Sequence, residues 1–83
     1  MRNNTKQLVK TIRFCKSSNE LEDLLVGLLT PQEIETLLTR IEIVKRLKKG
    51  ESQRVIAESL GVGIATVTRG AKEERQGFFK NIN

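Results

Sequence analysis

Two arginines, Arg54 and Arg69, bracket a run that includes Ile64, Ala65, Thr66 and Thr68. These are the groups in the chain best suited to chemistry, and the chemistry they suit is recognition. A guanidinium such as that of Arg54 can hold a guanine edge or a phosphate. Threonine hydroxyls reach bases or phosphates, and the methyl groups of Ile64 and Ala65 can meet thymine. Catalysis has no comparable support. There is no histidine, and the one cysteine, Cys15, has no base to activate it. The same composition argues against a structural zinc site, so Cys15 reads as a small apolar filler. Lys and Arg total 15 against 10 Asp and Glu, a net charge of +5 with a pI near 9.8. That balance suits a polyanionic partner.

Such residues work only if a rigid element presents them, and the flanking sequence has the spacing of a helix-turn-helix. Ser52 caps a short helix with apolar Val55, Ile56 and Leu60. Ala57 is small where two steeply crossing helices touch, and Gly61, four residues on, supplies permissive backbone for the turn. Val62 plugs the corner, and Val67 turns the apolar face of the second helix back onto the first. The second helix runs from Ile64 through Thr68 at least, with Gly70 as a point where it weakens or ends.

The rest of the chain also reads as helix. Leu8, Val9, Ile12 and Cys15 fall at helical spacing between Thr5 and Lys16. Ser17 and Glu20 have capping-box spacing before Leu21, Leu24, Leu25, Leu28 and Leu29. Thr30-Pro31-Gln32-Glu33 opens a long helix with Ile34, Leu37, Leu38, Ile41, Val44 and Leu47 along one stripe. Lys48-Lys49-Gly50 closes it, cations first and then a residue that tolerates left-handed backbone. No order is assigned to the tail from Gly77 onward. Charge is blocked: five bases and no acid in residues 1–16, five acids and no base in 17–35, then Arg40, Lys45, Arg46, Lys48 and Lys49 against Glu42 in 36–50. The blocks together suggest one positive face.

Eighty-three residues make a single all-α domain with a thin core. A lone cysteine allows no internal disulfide, so association with a second copy is the expected source of extra stability. The start of the chain lacks the hydrophobic run of a signal peptide, and nothing approaches the roughly 18 apolar residues of a membrane span. A cytoplasmic location with no membrane partner is therefore expected. Within the domain, residues 1–29 are expected to be dimerisation helices, 31–49 a central helix, 52–70 the helix-turn-helix and 77–83 a tail.

From Leu28 to about Lys72 the sequence resembles the bacterial Trp repressor family. The resemblance lies in Leu28-Leu29-Thr30-Pro31-Gln32-Glu33, Thr39-Arg40-Ile41-Glu42-Ile43-Val44, Gly50-Glu51-Ser52-Gln53-Arg54 and, most specifically, Gly63-Ile64-Ala65-Thr66-Val67-Thr68-Arg69-Gly70. It implies an intertwined all-α homodimer whose two reading heads meet successive major grooves of a palindromic operator in double-stranded DNA. The Trp repressor is itself a standard example of that docking and of a wet interface, so this geometry is the family's. Lys72 and Arg75 join the DNA-facing residues, Arg75 as a phosphate contact after the reading helix. The resemblance also implies L-tryptophan as corepressor, with no other cofactor. Arg40 and Arg69 would sandwich the indole, Arg40 lying also near the carboxylate. Thr30 and the backbone around Leu29 would hold the amino-acid group, and Gly70 would leave room beside the ring. Guanidinium planes stack on aromatics and pair with carboxylates, which makes the arrangement physically reasonable.

The sequence departs from the family pattern in three places. Glu73 stands where the family has a serine near the ligand amine, and a carboxylate there either pairs with the ammonium group or marks another ligand. The loop between Gly50 and Ser52 is one residue shorter. The chain stops at Asn83, before the family's final helix, so a weaker or differently closed dimer is expected. The leading expectation is a tryptophan-gated transcriptional repressor. The alternatives are a related DNA-binding regulator without a small-molecule corepressor, and a helical dimerisation module accessory to a DNA-processing protein.

Overall fold

The computed structural model describes residues 2–83, and all of its regular structure is helical: α1 (Arg2–Arg13), α2 (Ser18–Leu28), α3 (Pro31–Lys48), α4 (Gln53–Leu60) and α5 (Ile64–Arg75). Two compact units divide the chain, Met1–Ile34 and Glu35–Asn83. No helix among the described residues is long and apolar enough to cross a membrane.

In the first unit the helix boundaries are set by caps. α1 ends at Arg13, short of the expected Lys16, because the chain tightens there: Phe14 N–H donates to the carbonyls of Lys10 and Thr11, and Cys15 N–H to that of Ile12. The next helix then claims the backbone. Ser17 Oγ accepts from Glu20 N–H at 3.1 Å, while the Glu20 carboxylate reaches back to Lys16 N–H at 2.9 Å. The start of α3 carries the full reciprocal box, Glu33 N–H to Thr30 Oγ1 at 3.1 Å and Thr30 N–H to Glu33 Oε1 at 2.8 Å. Leucines are plentiful here, yet α2 has no buried residue, and Leu8, Val26, Leu28 and Phe14 are exposed.

The second unit holds the core. Ile43, Ile56, Ala57 and Val67 form a buried cluster, with Leu47, Leu60 and Val62 packed against it. The expected stripe of α3 is therefore corrected. Ile43, which lay outside that stripe, is buried beside Val44, whereas Leu37, Leu38 and Ile41 stay exposed. The reason is local: the α4–α5 pair covers only the later turns of an 18-residue helix, on the side that carries Ile43, Val44 and Leu47. α3 closes as expected, with Gly50 at φ 88° and Glu51 N–H on the Arg46 carbonyl.

Gly70 does not end α5, which continues to Arg75. A Cβ at Gly70 would stand 3.3 Å from Ile43 Cγ2, so the glycine lets α5 approach α3 closely. The tail is ordered too. Gly77, at φ 90°, reverses the chain: its N–H meets the Glu74 carbonyl at 3.0 Å, and Phe78 N–H meets that of Glu73 at 3.3 Å. Beyond it, the Lys48 ammonium donates to the carbonyls of Phe79 and Ile82.

Candidate nucleic-acid interface and the adjoining recess

The turn between α4 and α5 fixes what faces outward. Gly61 adopts the left-handed conformation, φ 66° and ψ 34°, and its N–H closes α4 on Ala57 and Glu58. Val62 N–H then donates to the Ala57 carbonyl at 3.1 Å, which folds the half-buried Val62 side chain over the corner. Ile56 and Val67 are fully enclosed and Ala57 is 7% exposed, so the crossing is sealed by small and branched apolar groups. Because Val67 points inward, Ile64, Ala65, Thr66 and Thr68 are left exposed on α5. Arg54 is exposed on α4, and Lys72 and Arg75 are exposed further along α5. No side chain caps α5 at Gly63. A helix start of that kind is suited to an anionic group such as phosphate.

Thr68 is the reader candidate with a different local role. Its hydroxyl donates to Gln53 Oε1 at 2.8 Å, tying the reading helix to the start of α4. Gln53 is thus a site residue that sequence reasoning passed over; its only signal was its place beside the Ser52 cap. Arg46 was counted in the basic block of the central helix, but it is an internal tie. Its guanidinium pairs with Glu42 at 3.0 Å, donates to Ser59 Oγ at 2.7 Å and lies 3.8 Å from the Glu51 carboxylate. Lys48 is likewise engaged, with the tail. The Arg46 charge is thereby offset by carboxylates, whereas Lys48, bonded to neutral carbonyls, keeps its own.

Beside the reading helix lies a small recess of about 100 Å³. The structure brings four of the expected ligand residues to it: Arg40 from α3, and Arg69, Gly70 and Glu73 from α5. Ile43 and Val44 form its apolar wall, and Thr66 and Phe79 also line it. On its α5 side Arg69 Nε and Glu73 Oε2 are 3.5 Å apart, an i,i+4 pair in which Arg69 is largely exposed and Glu73 is one third exposed. Leu29 and Thr30 belong to the first unit, where Leu29 terminates α2 and Thr30 caps α3. Phe79 was not foreseen, because a tail with no periodic pattern gives no signal of where it folds.

The family described as Trp repressor protein matches residues 3–79. Among curated relatives, a Trp operon repressor homolog of Vibrio parahaemolyticus is 51% identical over 69 residues, covering 82% of this chain and 67% of the relative. The homolog of Vibrio campbellii is 49% identical over 69 residues, covering 82% and 69%. That of Vibrio vulnificus is 46% identical over 69 residues, covering 82% and 68%. No solved structure gives a significant match.

Proposed function

The chain belongs to the Trp repressor protein family and is a DNA-binding transcriptional repressor, not an enzyme; from that premise we propose that it acts as a homodimer on a palindromic operator and is gated by L-tryptophan. The observation that carries the reading is the sealed α4–α5 crossing, which turns Ile64, Ala65 and Thr66 outward on one rigid element. Those three read base edges in the major groove. Arg54 contacts a guanine or a phosphate from α4, and Lys72 and Arg75 neutralise phosphates. Thr68 holds the reading helix to Gln53 and presents its hydroxyl oxygen to the same groove.

Tryptophan occupies the recess beside α5. Arg40 and Arg69 flank the indole, Gly70 gives it room, and the Glu73 carboxylate receives the ammonium group in place of the family's serine. The wall of this recess is also the wall of the reading head, since Ile43 is packed both in the core and beside the ligand. A ligand that fits only the DNA-competent angle of α5 therefore shifts the population toward binding.

The chain has no tryptophan or tyrosine, so the fluorescence anisotropy of added L-tryptophan reports its own binding. A saturable rise on titrating protein into the amino acid is expected, and Arg40→Ala should abolish it. Enrichment of one palindromic sequence from a random duplex pool, in the presence of L-tryptophan, is the matching test of DNA reading. A flat anisotropy trace with intact enrichment would favour the second reading, a regulator without a corepressor. The observation on that side is the Arg69–Glu73 pair, which engages both groups with each other.

A further inference from the structure

We propose that Phe79 is the chain's own occupant of the slot between Arg40 and Arg69, and that it sets which aromatic ligands can enter. The inference rests on the ligand reading above and concerns a residue that neither the helix-turn-helix nor the family's ligand motif includes.

Two recesses open beside α5, and Phe79 borders both, together with Arg40, Arg69 and Glu73. The first continues to Ile43, Val44 and Gly70; the second, of about 370 Å³, continues to Leu37, Ile41 and Ile82. Phe79 is thus the one aromatic group shared by two recesses that also share both guanidinium groups. Its placement is selective: Phe78, the adjacent ring, is 59% exposed, while Phe79 is half-buried. The backbone has devices for holding it there. Gly77 reverses the chain at the end of α5, and the Lys48 ammonium gathers the carbonyls of Phe79 and Ile82. Charge-assisted bonds of this kind are directional, but these are solvent-exposed and so can be released at modest cost.

A phenyl ring beside guanidinium planes makes the same contacts that a ligand's ring would make. Any aromatic ligand must displace it, so its apparent affinity is lowered by the fraction of chains whose strap is closed. An incoming phenyl group gains little by replacing another phenyl. A bicyclic ring reaches from one recess into the other and recovers more contact than it displaces. Phe79 thereby favours indole-sized ligands over phenyl-sized ones.

The test compares wild type with Phe79→Ala, Phe79→Leu, Lys48→Met and Phe78→Ala, after circular dichroism has verified the helical fold. Affinity is read from L-tryptophan anisotropy, with L-phenylalanine as competitor. Phe79→Ala should bind L-tryptophan several-fold tighter and discriminate less against L-phenylalanine. Lys48→Met should shift affinity in the same direction, and Phe78→Ala should match wild type. Phe79→Leu keeps an apolar side chain in the tail and should lie between wild type and alanine. Unchanged or weaker tryptophan binding in Phe79→Ala, with wild type binding normally, would overturn the proposal and leave the ligand reading standing. Binding seen only after Phe79→Ala would support both, with the strap closed in most chains. Absence of binding in every variant would remove the ligand reading and this proposal together.

Discussion

Thr66 and Thr68 are chemically identical and two residues apart, yet the structure gives them different work. Both are exposed on α5, but only Thr68 donates its hydroxyl to Gln53, at 2.8 Å. A group that reads one base pair and a group that fixes a helix leave different marks on specificity. Thr66→Ala should weaken operator binding and relax preference at a single base pair. Thr68→Val, which keeps the shape and loses the hydroxyl, should weaken binding to all operator variants in nearly equal proportion. Arg54→Ala should cost about 1–3 kcal/mol if it reads a guanine, with relaxed preference at that position; a uniform loss with a shallower salt dependence would assign it to phosphate. Competition binding against single-base operator variants at two salt concentrations separates these outcomes. Equal specificity profiles for the two threonine variants would reject the division of labour.

At the scale of elements, the hinge of the site is Gly61. Its φ of 66° lies in the region that residues with a Cβ adopt only under strain, and a Cβ there would meet nothing within 4 Å. Gly61→Ala should therefore act through backbone conformation alone and destabilise the folded state by about 1 kcal/mol. Thermal unfolding followed by circular dichroism checks this, and an unchanged midpoint would mean that the turn relaxes without cost. The turn, its Ala57 and Val67 contacts and the Thr30–Glu33 cap were all legible in the sequence, because each depends on residue type at a fixed short spacing. The buried face of α3 was less legible. A stripe of Ile34, Leu37, Leu38, Ile41, Val44 and Leu47 marks an apolar face, but which part is covered depends on what packs there, and Ile43 proved to be the covered residue. Arg46 and Lys48 misled for a related reason: a cation followed by partners 13 and 31 residues away looks like any solvated charge. Four ligand candidates, Arg40, Arg69, Gly70 and Glu73, converge on one recess, which spacing within a single helix could not have established across α3 and α5.

At the scale of the whole molecule, the distribution of burial bears on the proposed homodimer. Every buried hydrophobic among the described residues lies between Ile43 and Ala71, while Leu8, Val9, Phe14, Leu25, Val26 and Leu28 are exposed in the first unit. Monomeric proteins leave single apolar residues in water, but seldom whole helices of leucine. A second copy of the chain would cover such faces, and it would also supply the second reading head that a palindrome requires. Folding should then be coupled to association. For a dimer that unfolds to two free chains, raising the protein concentration tenfold adds about 1.4 kcal/mol to the apparent stability. With a urea slope of about 1.5–3 kcal/mol/M, the midpoint should move up by about 0.5–1 M. Leu25→Glu, on a helix with no buried residue in the single chain, should lower the midpoint and abolish dimers in sedimentation. If the core of the second unit were sufficient alone, the urea midpoint would be independent of concentration and Leu25→Glu would be neutral. The two expectations differ in whether the midpoint moves at all, so urea titrations at two concentrations decide between them.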